Sequence, residues 1–150
     1  MNLLHNNTLG IDIGSTTVKI AVLDSEHHML FADYERHYAN IQETLALLLS
    51  RAKEKLGEMT VSPSITGSGG LTLSGHLNVP FTQEVVAVAT ALQDYAPQTD
   101  VAIELGGEDA KIIYFTGGID QRMNGICAGG TGSFIDQMAS LLQTDASGLN

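Results

Sequence analysis

The chain has 150 residues, 43% hydrophobic and 16% charged, with a net charge of −10, a balance that describes one or two small globular units able to bury a core. Only 7 Lys and Arg stand against 17 Asp and Glu, so neither nucleic acid nor an anionic membrane is expected as a main partner. There is no apolar run of roughly 18 residues, no basic start leading into an apolar stretch, and a single cysteine, so a membrane span, a secretory leader and an internal disulfide are not expected, and a reducing cytoplasm is the expected location.

Leu9–Gly14 alternates around Leu9, Ile11 and Ile13 and predicts a strand ending at a Gly14-Ser15-Thr16 turn. Thr17–Leu23 predicts a second strand and Met29–Tyr38 a third. Asn40–Leu56 has the clearest helical pattern. Ile41, Leu45, Leu48, Leu49, Ala52 and Leu56 share one face, Asn40 can cap the first turn, and Gly57 follows the last. Ser64–Gly67 predicts a short strand running into the turn Gly67-Ser68-Gly69-Gly70, and Gln83–Tyr95 a helix stopped by Pro97. Strands are then expected at Asp100–Leu105, Ala110–Phe115 and Ile119–Asn124. A helix at Thr131–Leu142 closes the series, with Phe134, Ile135, Met138, Leu141 and Leu142 near one face. The abrupt stop after this amphipathic segment suggests a fragment of a longer polypeptide.

A repeat decides the architecture. Ile11-Asp12-Ile13-Gly14-Ser15-Thr16-Thr17-Val18-Lys19-Ile20 aligns without gaps to Ile103-Glu104-Leu105-Gly106-Gly107-Glu108-Asp109-Ala110-Lys111-Ile112. The acid, the glycine, the lysine and the flanking aliphatics all correspond. The expected fold class is α/β: two related units, each led by an acid and a glycine turn, suggest two lobes facing a cleft. The first would occupy residues 1–98, and 99–150 would begin a second, truncated one.

Such a hairpin suits a bulky anion. Glycine lets the backbone approach closely and reach φ > 0. The N–H groups of Ser15, Thr16 and Thr17, and those of Gly107 and Glu108, can point at phosphate oxygens in a nest that needs no arginine. Gly14, Ser15, Thr16, Thr17, Gly106 and Gly107 are therefore candidate nucleotide-binding residues. Lys19 could add a positive charge or face solvent. Asp12, Glu104 and Asp109 are the candidate catalytic carboxylates, and hard carboxylates beside a triphosphate favour Mg²⁺, with Asp12 holding it through water. A single such hairpin is usually only a turn; two in the same register are what point to phosphate. The five histidines, at 5, 27, 28, 37 and 76, lack metal-ligand spacing and read as surface or core residues.

The other unusual stretch is Met123-Asn124-Gly125-Ile126-Cys127-Ala128-Gly129-Gly130-Thr131-Gly132-Ser133-Phe134. A lone cysteine is most often a small buried hydrophobe. Cys127, however, precedes a glycine-rich turn into a helix start, where free N–H groups and the positive dipole end favour a thiolate or an anionic group. It could be a ligand or a nucleophile. Gly129, Gly130 and Thr131 could separately touch phosphate. One cysteine cannot hold a metal cluster alone.

With these residues set down, the chain resembles a known family. The two hairpins look like those of the acetate kinase, sugar kinase, heat-shock ATPase and actin superfamily, whose lobes are ribonuclease H-like mixed sheets with flanking helices. Adding the block Met123–Asp136 makes the chain similar to the BadF/BadG/BcrA/BcrD ATPase family, over about Leu9 to Leu142. Thr66-Gly67-Ser68-Gly69-Gly70 and Glu84 fall where that family has a glycine turn and an acid. Glu104 stands where the family usually has Asp, Gly70 where a basic residue is common, and Gly129-Gly130 vary on its Ala-Gly turn. The resemblance implies an activator of 2-hydroxyacyl-CoA dehydratases or an ATPase subunit of benzoyl-CoA reductase. It implies ATP and Mg²⁺ as cofactors and a homodimer sharing one 4Fe–4S cluster between subunits. Cys127 matches the first of two cluster cysteines, and the second would lie beyond Asn150. ATP hydrolysis would drive one low-potential electron to a dehydratase or reductase component, supplied by ferredoxin or flavodoxin. The full-length protein is expected to be an ATPase and this stretch alone inactive. Two other readings stay open. A sugar or carboxylate kinase of the same superfamily would need a base such as Asp109 or Glu84. An actin-like filament former would need neither.

Overall fold

The computed structural model describes residues 7–124 and 129–149. Cys127 lies outside the described residues, as do Gly125, Ile126 and Ala128. The chain divides into two compact units, Met1–Glu84 and Val85–Asn150.

The first unit runs β1 (Asn7–Ile13), β2 (Thr17–Leu23), β3 (Met29–Arg36), α1 (Ile41–Leu56), β4 (Val61–Thr66) and α2 (Gly70–Leu77). Its sheet has the order β3-β2-β1-β4. The first three strands form an antiparallel meander, and β4 joins β1 in parallel. A parallel partner needs a crossover, and α1 lies on that path. Leu9, Ile11 and Ile13 pair in register with Val22, Ile20 and Val18. The two-residue period of both strands sends all six to one buried face. Helix α1 lays Thr44, Leu45, Leu48 and Ala52 on that face, and Ile65 from β4 completes the core. Leu49 lies at the margin of the helical stripe and stays exposed. Leu48 and Ile65 have no solvent exposure, so truncating either to Ala should cost about 2–5 kcal/mol.

Asn40 occupies the N-cap, but its side chain makes no capping bond. The carbonyl of Asn40 instead accepts from Thr44 N–H at 3.1 Å and Thr44 Oγ1 at 2.8 Å. Gly57 ends the helix at φ +78, donating to Lys53 O at 2.9 Å.

Helix α2 is not expected from the sequence, where Gly67-Ser68-Gly69-Gly70 predicts only a turn. Gly70, Thr72, Ser74 and Gly75 are poor helix formers, and tertiary contacts override them. Gly69 N–H donates to Ile13 O at 2.9 Å, and Leu73 packs on the core. Asn78, in the left-handed region at φ +51, stops the helix.

Glu84 opens α3 (Glu84–Tyr95), whose remainder belongs to the second unit with β5 (Val101–Leu105), β6 (Ala110–Tyr114), β7 (Asp120–Met123), α4 (Gly132–Leu141) and a 3-10 turn at Ala146–Leu149. The three strands form an antiparallel sheet in chain order. Ala89, Ile113 and Ala139 are its buried hydrophobic residues among those described. The apolar stripe expected on α4 is largely uncovered. Phe134, Leu141 and Leu142 are exposed.

Candidate functional site

Each unit carries one copy of the repeated hairpin, and the copies are built alike. In the first, Asp12 pairs with Lys19 and Ile13 with Val18, and Gly14 N–H donates to Thr17 O at 2.9 Å. In the second, Glu104 pairs with Lys111 and Leu105 with Ala110, and Gly106 N–H donates to Asp109 O at 2.8 Å. The repeat seen in the sequence is therefore a repeat of register and of turn geometry.

The turns do not use the conformation expected of them. Gly14, Gly106 and Gly107 have ordinary negative φ; positive φ occurs at Gly67 and Gly130 instead. What the turn glycines supply is room. A Cβ on Gly106 would fall on the Asp109 carboxylate, and one on Gly14 would sit 3.4 Å from Thr17 O. The N–H groups of Ser15, Thr16, Gly107 and Glu108 donate to none of the described residues. They remain able to bind an anion.

Asp12 and Lys19 form an ion pair, Nζ to Oδ2 at 2.8 Å, with the lysine side chain half exposed. The other carboxylate oxygen of Asp12, Oδ1, is buried and takes no hydrogen bond from the described residues. Thr66 pairs in register with Asp12 on the adjacent strand β4, and its Oγ1 is likewise buried without a partner. Gly67, at φ +90, follows directly. A Cβ there would collide with Asp12 Oδ1 and Ile13 O, so only glycine lets the backbone pass this close to the carboxylate.

In the second unit the lysine is buried. Lys111 Nζ lies 3.0 Å from Asp109 Oδ2 and 3.4 Å from Glu104 Oε1, with its side chain 8% exposed. Asp109 is thus brought to Glu104 by one shared cation. The start of α4 docks on this hairpin. Gly132 N–H donates to Gly106 O at 2.8 Å, Ser133 N–H to Gly107 O at 2.9 Å, and Ser133 Oγ also reaches Gly107 O. Phe134 and Ile135 N–H turn back to Thr131 O. The first-turn N–H groups, expected to be free for an anion, are thus taken by protein carbonyls. Thr131 is fully buried, whereas Gly129 and Gly130 are exposed.

Two residues of this region stand at the hairpin without being expected there from the sequence. Thr66 becomes visible only through the parallel register of β4 with β1. His37, read as one of several scattered histidines, is 8% exposed and touches the first hairpin through Gly14. A hollow of about 380 Å³ lies at the far end of β1, lined by Leu9, Val22, Leu56, Met59 and Val61 among others. It is apolar and carries none of the hairpin groups.

Comparison with known proteins gives this geometry a family. Residues 9–149 match the BadF/BadG/BcrA/BcrD ATPase family. The (R)-2-hydroxyglutaryl-CoA dehydratase activating ATPase of Acidaminococcus fermentans is 29% identical over 147 residues, covering 95% of this chain and 56% of the relative. The activator of lactoyl-CoA dehydratase of Anaerotignum propionicum is 32% identical over 145 residues, covering 91% and 54%. The chain thus spans about half the length of the curated relatives it matches. Among solved structures, the A. fermentans (R)-2-hydroxyglutaryl-CoA dehydratase component A aligns with a TM-score of 0.82 at 28% identity, over 95% of this chain and 56% of that one. The activator of the 2-hydroxyisocaproyl-CoA dehydratase from Clostridium difficile, solved with bound ADPNP, aligns at 0.80 and 26% identity, over 94% and 54%. The ethanolamine utilization protein EutJ from Carboxydothermus hydrogenoformans, at 14% identity and a TM-score of 0.70 over 98% of this chain and 60% of that one, shares the fold alone. The fold is the mixed α/β architecture of the actin-like ATPases. The chain belongs to the BadF/BadG/BcrA/BcrD ATPase family.

Proposed function

We propose that this chain is the phosphate-clamping part of an ATP-dependent activator that delivers a low-potential electron to a 2-hydroxyacyl-CoA dehydratase or a benzoyl-CoA reductase type partner. The observation that carries the ATP half is the duplicated hairpin, with its undonated N–H groups at Ser15, Thr16, Gly107 and Glu108. Residues 1–98 would be the first ATPase lobe and 99–150 the opening of the second. Relatives named as activators of acyl-CoA dehydratases, one of them solved with ADPNP, support the same reading.

The residues fit a magnesium ion. Asp12 Oδ1 is a hard, buried oxygen that the described residues leave without a hydrogen bond, and Thr66 Oγ1 on the next strand is another. Among the described residues no three His, Cys, Asp or Glu side chains gather as a cage, so Asp12 would hold the ion through its water shell. Magnesium would neutralise charge on the transferring phosphoryl group. Gly14–Thr17 and Gly106–Gly107 would orient the phosphates, and Glu104 and Asp109 would be further catalytic carboxylates. Gly129 and Gly130 are exposed and could still approach phosphate. Lys19, which pairs with Asp12, and Thr131, which is buried, would be the remaining nucleotide-binding residues.

The electron-transfer half rests on Cys127 and the sequence block around it. A 4Fe–4S cluster shared by two subunits would take one thiolate from Cys127 of each and supply one-electron chemistry. A ferredoxin or flavodoxin would be the donor, and the cytoplasm the location. No helix among the described residues is long and apolar enough to cross a membrane. Anaerobic iron–sulfur reconstitution of the full-length protein tests this half. A cluster spectrum in wild type that Cys127→Ser loses is the expected result; identical spectra from both would remove the electron-transfer reading.

A further inference from the structure

Two carbonyls of the first hairpin loop are held by one residue. His37 N–H donates to Thr16 O at 3.1 Å, and the His37 ring nitrogen Nε2 lies 3.2 Å from Gly14 O. The other ring nitrogen, Nδ1, receives the Ala39 N–H at 3.0 Å. A backbone N–H can only donate, so Nδ1 carries no proton. Nε2 must therefore carry it, and it donates to Gly14 O. The ring is fixed as a single neutral tautomer. Tyr38 and Ala39 both adopt left-handed backbone, at φ +42 and +68. Non-glycine residues hold such conformations only where their surroundings impose them. Here the turn brings Ala39 N–H back onto the ring, and Asn40 N–H closes it on His37 O at 2.6 Å.

The second hairpin shows what this arrangement replaces. Gly106, the counterpart of Gly14, has its carbonyl capped by Gly132 N–H from the start of α4. Among the described residues no helix start caps Gly14 O; His37 Nε2 does. In a closed two-residue hairpin, Thr17 N–H would return to Gly14 O, and that bond is not made among the described residues. Because a trans peptide directs its C=O and N–H oppositely, anchoring Gly14 O and Thr16 O on His37 aims the Ser15 and Thr17 N–H groups the other way.

We infer that His37 is a positioning residue: by donating from Nε2 to Gly14 O it sets the loop so that its N–H groups face a bound nucleotide's phosphates. This rests on the ATP reading of the hairpin and names the group that orients it. Two variants separate the roles of the ring. His37→Gln keeps a donor near Nε2 but loses the acceptor for Ala39. His37→Asn keeps an acceptor near Nδ1, and with it the turn, but loses the donor to Gly14. In the full-length protein, the Asn variant should bind ADPNP about tenfold more weakly, the scale of one hydrogen bond, while Gln stays within about twofold of wild type. Thermal midpoints should follow the opposite order. Affinity that tracks the midpoint in both variants would overturn the positioning role. Nitrogen-15 spectra of wild-type His37 give a check independent of the variants, and a protonated Nδ1 at neutral pH would also overturn it. If wild type itself fails to bind ADPNP, the ATP reading falls as well; if wild type binds and the Asn variant matches it, only His37 loses its role.

Discussion

Lys19 Nζ lies 2.8 Å from Asp12 Oδ2, directly across the first hairpin. The second hairpin repeats this pair as Lys111 and Glu104, but there the lysine is buried and shared with Asp109. The same register therefore carries two different energies. An exposed pair contributes about 0.2–1 kcal/mol, whereas removing one partner of a buried pair costs about 3–5 kcal/mol. Lys19→Met should leave the denaturant midpoint almost unchanged. Lys111→Met should destabilise by about 3 kcal/mol, at the lower edge of that range because both carboxylates keep some solvent contact. Equal losses in the two variants would contradict the difference in burial.

Gly67→Ala should be damaging out of proportion to one methyl group. The position has φ +90, and the added Cβ would strike Asp12 Oδ1 and Ile13 O. The expected loss is more than about 1 kcal/mol in denaturant unfolding, together with weaker Mg²⁺-dependent nucleotide binding as Asp12 is displaced. A variant unchanged in both would show that the backbone does not need to approach the carboxylate.

Acid should loosen the β2–β3 turn. The His28 backbone N–H, donating to Asp24, is the main force holding that carboxyl below its ordinary value of 3.8; burial, the next largest effect, opposes it, and Glu26 N–H and the His28 ring add to the lowering. A lowered folded value means the stabilisation is fully present above pH 3.8 and is lost as pH falls through the folded value. The stability gap between wild type and Asp24→Ala should therefore be constant at neutral pH and close below that point. A gap that widens on acidification would reverse the sign.

Much of this was legible in the chain because hydrophobic period and turn chemistry are local. Thr17–Leu23 and the α1 face of Leu45, Leu48 and Ala52 follow from residue spacing alone. The gapless match of Asp12–Lys19 to Glu104–Lys111 reports a register, which the sheets reproduce. Long-range features stayed hidden. Helix α2 forms on weak helix formers because Gly69 and Leu73 have tertiary partners. Thr66 reaches Asp12 only through a parallel pairing, 54 residues along the chain. The start of α4 looked like an open anion site until Gly106 and Gly107 took its N–H groups. His37 carried no signal, since nothing in its spacing indicates that a left-handed turn folds its ring onto Gly14.

The proposed function requires the first hairpin to handle a magnesium-bound nucleotide through Asp12. Asp12 sits at a strand end outside the buried cluster, and among the described residues its carboxylate pairs with the half-exposed Lys19, so Asp12→Ala should fold with nearly wild-type stability. The most direct test is the steady-state rate of Mg²⁺-dependent ATP hydrolysis by the full-length protein and its Asp12→Ala variant. The variant should lose about a hundredfold or more, the scale of several kcal/mol of metal-borne charge stabilisation. An Asp12→Ala protein hydrolysing ATP at the wild-type rate would contradict it.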